Sequence, residues 1–160
     1  PTAGLHFTKK LLDDFTISKD FITLHVGLGT FLPVKSKNID DHDMHEESYF
    51  INSKTLKKIQ DVKRNGNRIL SIGTTSLRAI ESLAIDTNQV NKWSKTNLFI
   101  TEGFDFKFTD CLLTNFHLPK STLLILISSF LGYELTMKCY KIALKEKFRF
   151  YSYGDAMLIL

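Results

Sequence analysis

Apolar and polar residues alternate from Phe21 to Leu28, with Ile22, Leu24, Val26 and Leu28 on one side and Thr23 and His25 on the other. A period of two predicts a strand. Just before it, Thr8 can cap a short helix carrying Leu11, Leu12 and Phe15. Gly27, Gly29 and Pro33 then break the strand, and an acidic, histidine-containing stretch from Asp40 to Glu47 leads into a short strand near Tyr49–Ile51. The spacing of Leu56, Ile59 and Val62 predicts a helix over Lys54–Asn65, capped by Ser53 and stopped at Gly66. Arg68–Ile72 reads as a compact strand, and Gly73-Thr74-Thr75-Ser76 opens a helix with Leu77, Ala79, Ile80 and Leu83 inward.

In the second half, a polar connection including Trp93 leads to Leu98–Thr101. Phe104, Phe106 and Phe108 alternate with Asp105, Lys107 and Thr109, which predicts a half-buried strand or hairpin arm. Leu112–Phe116 is a further strand. Pro119 and Ser121 introduce an apolar helix that ends at Gly132, and Glu134–Lys147 is amphipathic through Leu135, Met137, Tyr140 and Leu144. Phe150–Leu160 reads as a loop and then a strand. Strands alternating with helices in this way predict an α/β fold: a partial, largely parallel sheet with flanking helices, of which the chain supplies part.

Composition narrows the function classes. Over 160 residues, 43% are hydrophobic and 12% aromatic, with 13 Phe, so a disordered chain is excluded. No apolar run reaches the roughly 20 residues of a membrane-spanning helix; Leu123–Leu131 is interrupted by Ser128 and Ser129. The net charge of +4 permits an anionic partner without demanding one. Only four arginines occur, Arg64, Arg68, Arg78 and Arg149, and Arg alone offers a bidentate fork to phosphate or carboxylate. Cys111 and Cys139 stand in no metal or redox spacing, which favours a reducing, cytoplasmic setting. The start at Pro1 without Met reads as a fragment or a processed product.

Four segments could carry chemistry, because open α/β sheets bind ligands at the carboxyl ends of their strands. In Gly73–Arg78, free amides and the hydroxyls of Thr74, Thr75 and Ser76 suit an anionic or hydroxyl-rich ligand, although Thr75 or Ser76 could simply cap the helix. The spacing is neither a P-loop nor a dinucleotide fingerprint. In Thr114–Thr122, Asn115 can read a base edge or a carboxylate and His117 can move a proton near neutral pH, or both can serve the turn. In His42–Glu47, two histidines three apart beside carboxylates resemble a metal site, but without the helical His-Glu-x-x-His pattern or a third clustered ligand. The two ends, Pro1–Thr8 and Arg149–Met157, mix small residues with His6, Arg149, Tyr151, Tyr153 and Asp155, and His25 could join them.

Taken in order, PTAGLHFT (1–8), LHVGLGTFLPV (24–34), HDMHEE (42–47), GTTSLRAIES (73–82), LLTNFHLPKSTLLIL (112–126) and FRFYSYGDAMLIL (148–160) resemble the S-adenosylmethionine:tRNA ribosyltransferase-isomerase family of queuosine biosynthesis. One departure is Glu102, where the family pattern carries Pro. The larger is length: family members are about twice as long, so the resemblance implies that 1–160 is the carboxyl-terminal part of an α/β domain, without the family's small β-barrel. It further implies an enzyme that transfers and isomerises the ribosyl group of S-adenosylmethionine onto 7-aminomethyl-7-deazaguanine at the tRNA wobble position. The products would be epoxyqueuosine, adenine and methionine.

On that resemblance His6, His45, His117 and Asp155 are the catalytic candidates, with no ranking among the histidines. Thr74, Thr75, Ser76, Arg78, Asn115 and Arg149 are the substrate-binding candidates. No metal or resident cofactor is implied, S-adenosylmethionine being a co-substrate, and no membrane is involved. Lysines on the open face of the sheet and Arg149 would meet tRNA phosphates. The full-length protein is expected to be a monomer, and this half alone to be inactive and prone to self-association. Two other readings compete: a non-catalytic α/β module for a nucleotide or RNA built on Gly73–Arg78, and a metal hydrolase using His42, His45 and Glu46.

Overall fold

A computed structural model describes residues 1–27, 30, 33–34 and 38–160. A 3₁₀ turn over Thr2–His6 and helix α1 (Lys9–Asp14) precede strand β1 (Thr23–His25). A 3₁₀ turn (Ile39–Asp41), β2 (Glu47–Phe50), α2 (Ser53–Arg64), β3 (Leu70–Ile72), α3 (Thr74–Ile85) and β4 (Trp93–Thr96) follow. The chain closes with β5 (Cys111–Asn115), α4 (Thr122–Leu131), α5 (Tyr133–Lys145) and β6 (Ala156–Ile159).

These strands form two three-stranded sheets, ordered β1-β2-β4 and β3-β5-β6. The expectation of a largely parallel sheet is corrected. Both pairings in the first sheet are antiparallel, and in the second only β3 and β5 run parallel, while β6 returns antiparallel to β5. A parallel pair needs a crossover long enough to turn back, usually a helix. Here α3 and the following residues provide it between β3 and β5, whereas among the described residues no α-helix lies between β1 and β2.

Helix α3 lies between the two layers. Ala79, Ile80 and Leu83 pack with Tyr49, Ile51, Leu56 and Ile59 on the side of the first sheet. Leu77 packs with Ile100, Leu112, Leu126, Ile127 and Ile159 on the side of the second. With two apolar faces buried, eight of its twelve residues lie out of solvent. A third cluster of Phe116, Tyr140 and Ala143, with Phe150 against it, fixes α5 to the end of β5.

Several local expectations change. The first strand is confined to Thr23–His25, Val26 is exposed, and Leu28 lies outside the described residues. Helix α1 is capped by Thr8, whose hydroxyl accepts from Leu11 N–H, but buries no residue. Asn52, not Ser53, caps α2: its Oδ1 accepts from Thr55 N–H at 2.8 Å, while Ser53 N–H donates to Asn91. Trp93 belongs to β4 rather than to a connection. On α5 the buried residues are Thr136, Tyr140 and Ala143, while Leu135 and Leu144 face solvent.

Phe104–Phe108 keeps its alternating burial without becoming a strand, and Thr109, expected on the outer face, is buried. The carboxylate of Glu81, 0% exposed, stands where a neighbouring strand would be. It accepts from the N–H groups of Lys107 (2.9 Å), Phe108 (3.1 Å) and Thr109 (2.7 Å). Buried amides need partners, and one buried carboxylate here supplies them. Among the described residues no single helix is long and apolar enough to cross a membrane.

Candidate functional site

The parallel strands β3 and β5 end side by side, and Gly73 N–H bonds Leu113 C=O at 2.8 Å across that edge. Gly73 has a φ of 87°, which suits glycine, and a Cβ there would lie 2.6 Å from the Cβ of Pro1. The amino-terminal 3₁₀ turn is therefore seated on the start of α3, with Ala3 buried beneath it. Neither Thr75 nor Ser76 caps α3: the cap position is Gly73, which has no side chain to offer. The first-turn amides of Thr74, Thr75 and Ser76 are thus donors at a positive helix end. Thr74 is buried, and Thr75 and Ser76 are half-buried.

One residue further along the same edge, Asn115 at the end of β5 gathers three segments. Its Nδ2 donates to Tyr151 C=O (3.1 Å) and Gly154 C=O (3.4 Å) and lies 3.4 Å from His6 Nε2. Two carbonyl acceptors fix the amide orientation, since the flipped form would set oxygen against oxygen. The two Nδ2 protons are directed at those carbonyls, and His6 Nε2 packs against the same nitrogen at 3.4 Å. The opposite end of the amide, Asn115 Oδ1, is buried and has no hydrogen-bond partner. A free acceptor beside an imidazole and a helix start is a feature a ligand can use.

The 149–155 loop completes the cluster. Arg149 Nη2 donates to Asp155 Oδ1 at 2.8 Å, and Arg149 N–H donates to Asp155 Oδ2 at 2.7 Å. The Arg149 guanidinium holds the Asp155 carboxyl below its ordinary range, the two backbone and side-chain hydrogen bonds outweighing desolvation, and the charge of His6 adds a little. Arg149 is raised in turn by the same carboxylate. Asp155 is thus an ionised group near His6.

His117 lies two residues past Asn115, half-buried, with Nε2 2.9 Å from Thr114 Oγ1 and its backbone N–H donating to Tyr140 Oη at 3.0 Å. Burial lowers its pKa to about 4 and pushes the Tyr140 phenol up to about 12. His117 is therefore neutral at physiological pH, and it touches Thr114 rather than the His6–Asn115 cluster.

Other predicted residues lie elsewhere. Arg78 is turned inward, Nη2 2.6 Å from Glu47 Oε2 and Nη1 3.2 Å from Thr30 Oγ1, so the carboxylate it meets is this chain's own. His45 is exposed in the connection before β2. The neighbouring Glu46 pairs with Lys95, and His42 packs on Phe99 with ring centroids 5.1 Å apart. His25 stacks edge-on against Trp93. No three His, Cys, Asp or Glu residues come close enough to hold a metal ion among the described residues. Glu47 and Glu81 stand in segments the sequence singled out, but their partners, Arg78 and the amides of Lys107–Thr109, are far along the chain and were not legible. Tyr151 and Tyr153, also in such a segment, prove to be exposed.

Fold and site together define a mixed α/β protein with a polar, titratable cluster at the carboxyl end of a parallel strand pair. Comparison with known proteins agrees with that class and narrows it. The family model described as Queuosine biosynthesis protein matches residues 1–159. A relative from Caldanaerobacter subterraneus subsp. tengcongensis, named S-adenosylmethionine:tRNA ribosyltransferase-isomerase, is 49% identical over 100% of this chain and 48% of its own length. One of the same name from Agrobacterium fabrum is 51% identical over 99% of this chain and 44% of its own. A crystal structure of S-adenosylmethionine tRNA ribosyltransferase from Thermotoga maritima superposes with a TM-score of 0.78 at 38% identity, covering 99% of this chain and 51% of that one. The chain belongs to the queuosine biosynthesis protein family. It spans about half the length of the curated relatives it matches.

Proposed function

We propose that this chain is the carboxyl-terminal part of the α/β domain of a cytoplasmic tRNA-modifying enzyme, one that uses S-adenosylmethionine as a ribosyl donor. The reaction transfers and isomerises that ribosyl group onto 7-aminomethyl-7-deazaguanine at the wobble position, giving epoxyqueuosine, adenine and methionine. The relatives' names support the reaction class. The observation that carries the site is the meeting of three distant segments, through His6, Asn115 and the Arg149–Asp155 loop, on the edge where Gly73 opens α3. The two free cysteines suit a reducing compartment.

The residues divide the work as follows. A sulfonium acidifies the adjacent C5′ proton, and His6, held beside Asn115 and the 149–155 loop, is the base that accepts it. Asp155 stabilises the resulting imidazolium, and Arg149 keeps Asp155 ionised. The first-turn amides of α3, with the hydroxyls of Thr74, Thr75 and Ser76, receive the carboxylate of the methionyl end. Asn115 Oδ1 accepts from an N–H of the bound ligand. His117 and Arg78 shape the surrounding structure, and His45 has no part in the cluster.

The test is adenine release from S-adenosylmethionine and substrate tRNA by a protein of the relatives' full length that contains this chain. His6→Ala should lower turnover by about 10²- to 10⁴-fold, the range of a lost general base. His45→Ala should leave it unchanged. Equal, undiminished rates in both would remove His6 from the chemistry. The 160-residue chain alone should release no adenine, because the pocket needs the rest of the protein. A chain that bound S-adenosylmethionine and RNA, with no adenine released even at full length, would instead be the non-catalytic module.

A further inference from the structure

Tyr153 is 89% exposed and Tyr151 58%, yet both stand on a loop that is tightly held. Tyr151 N–H donates to Phe116 C=O (3.0 Å), Gly154 N–H to Tyr151 C=O (2.9 Å) and Asp155 N–H to Arg149 C=O (2.8 Å). Asn115 Nδ2 grips the loop from beneath through Tyr151 C=O and Gly154 C=O. Tyr151 has a φ of 70°, a left-handed conformation that a bulky residue keeps only where its surroundings impose it. Gly154 admits no side chain, since a Cβ there would lie 2.4 Å from Arg149 C=O. Phe150 points inward, its ring 5.3 Å from Phe116, so the same turn drives one aromatic into the core and holds two out in water.

A backbone held in place leaves less freedom to lose when something stacks on the rings it carries. Cations precede them in the chain: Lys145 and Lys147 are exposed, and the Arg149 side chain, paired with Asp155, is 74% exposed. Exposed aromatics interleaved with Lys and Arg are the composition of single-stranded nucleic-acid sites, where bases stack and the backbone follows the charge. A free nucleoside would be enclosed by its pocket rather than met by an open ring.

Resting on the function proposed above, we propose that Tyr153, with Tyr151 beside it, is the stacking platform for an unstacked nucleobase of the substrate RNA. It holds that base at the mouth of the His6–Asn115–Asp155 cluster while Lys145 and Lys147 take the phosphate charge. Tyr153 is in this sense a positioning residue. Stacking uses the ring and not the hydroxyl, so Phe serves in its place and Ala does not.

The experiment follows an anticodon stem-loop RNA carrying 2-aminopurine at the wobble position as it binds the full-length protein. The wild-type protein should quench the fluorescence on binding. Tyr153→Ala should weaken affinity by about 5- to 150-fold, the worth of one stacked base, and abolish the quenching. Tyr153→Phe should keep both, and S-adenosylmethionine affinity should be the same in all three proteins. Unchanged affinity and quenching in Tyr153→Ala, while a Lys145→Glu/Lys147→Glu double variant still weakens binding, would overturn the platform and leave the enzyme reading intact. A loss of S-adenosylmethionine affinity equal to the loss for RNA would also overturn it, by assigning the ring to the small molecule. No RNA binding by the wild-type protein would remove the enzyme reading, and the platform with it.

Discussion

Arg78 Nη2 sits 2.6 Å from Glu47 Oε2 with 4% and 1% of the two side chains exposed, which ties α3 to the first sheet by a buried ion pair. Thr30 Oγ1 accepts from Arg78 Nη1 and donates to Glu47 Oε1 at 2.5 Å, and Gly27 N–H donates to the same oxygen at 2.9 Å. Burial lowers the Arg78 pKa, and the adjacent carboxylate of Glu47 opposes that shift. Removing one member leaves the other charge unpaired in a dry site. Arg78→Met or Glu47→Leu alone should therefore cost about 3–5 kcal/mol of stability, whereas the double variant Arg78→Met/Glu47→Leu should recover much of it. Urea denaturation of the three variants measures this. Losses that simply add would show that the two groups are not coupled.

Glu81 makes a different demand on the same helix. Its carboxylate receives three backbone N–H groups from Lys107–Thr109. Glu81→Gln is nearly isosteric but turns one acceptor oxygen into an NH₂ that faces a donor. That substitution should destabilise by about 1–3 kcal/mol through an unsatisfied buried amide. Amide exchange at Lys107, Phe108 and Thr109 should rise specifically, and unchanged protection there would refute the assignment.

How far this was legible in the sequence depends on how local the cause was. Helices α2, α3 and α4 could be read because their apolar spacing is local, although the caps of α2 and α3 fell on Asn52 and Gly73 rather than on the expected residues. Ser121, by contrast, caps α4 by accepting from Leu124 N–H at 3.1 Å. Strand direction could not, because it is fixed by pairings such as Leu112 with Ile159, set by the returning chain and not by either segment's pattern. Phe104–Thr109 shows the same limit from the other side. Its alternation reports which rings are buried, while the absence of a strand comes from Glu81, on another element. For the site, the residue types in Pro1–Thr8, Thr114–Thr122 and Arg149–Met157 singled out three segments that the structure brings together around Asn115. Arg78 was misleading because a lone Arg beside a loop looks the same whether it faces a ligand or a buried Glu47.

The 149–155 loop should fail when its anchor or its glycine is changed. Asn115→Asp places a carboxylate oxygen where Nδ2 now meets Tyr151 C=O and Gly154 C=O, turning two attractions into repulsions. Asn115→Leu merely leaves the carbonyls unpaired, at about 1–3 kcal/mol, so the Asp variant should be the less stable of the two. Gly154→Ala meets backbone atoms of Arg149 and Phe150 at 2.4–2.6 Å and should disorder the loop. Backbone chemical shifts of Tyr151–Asp155 would report it. A Gly154→Ala protein with unshifted resonances there would contradict the packing described.

His117 links the protein's stability to pH. Its pKa is lowered by burial to about 4, against an ordinary value of 6.5. The unfolded chain therefore holds more protons at this site than the folded chain between those two values. Stability should then rise with pH across that window and gain nothing further from His117 above it. The full shift corresponds to at most about 3.5 kcal/mol, at about 1.4 kcal/mol per pH unit. His117→Asn keeps a polar ring-sized partner for Thr114 and cannot titrate. Its stability, followed by urea unfolding from pH 4 to 7, should be flatter than that of the parent by that amount, with the two curves differing most in slope near pH 5. Parallel curves would mean that His117 binds its proton as readily in the folded protein as in the unfolded chain, and the burial at the end of β5 would then have to be looser than the Thr114 and Tyr140 contacts imply.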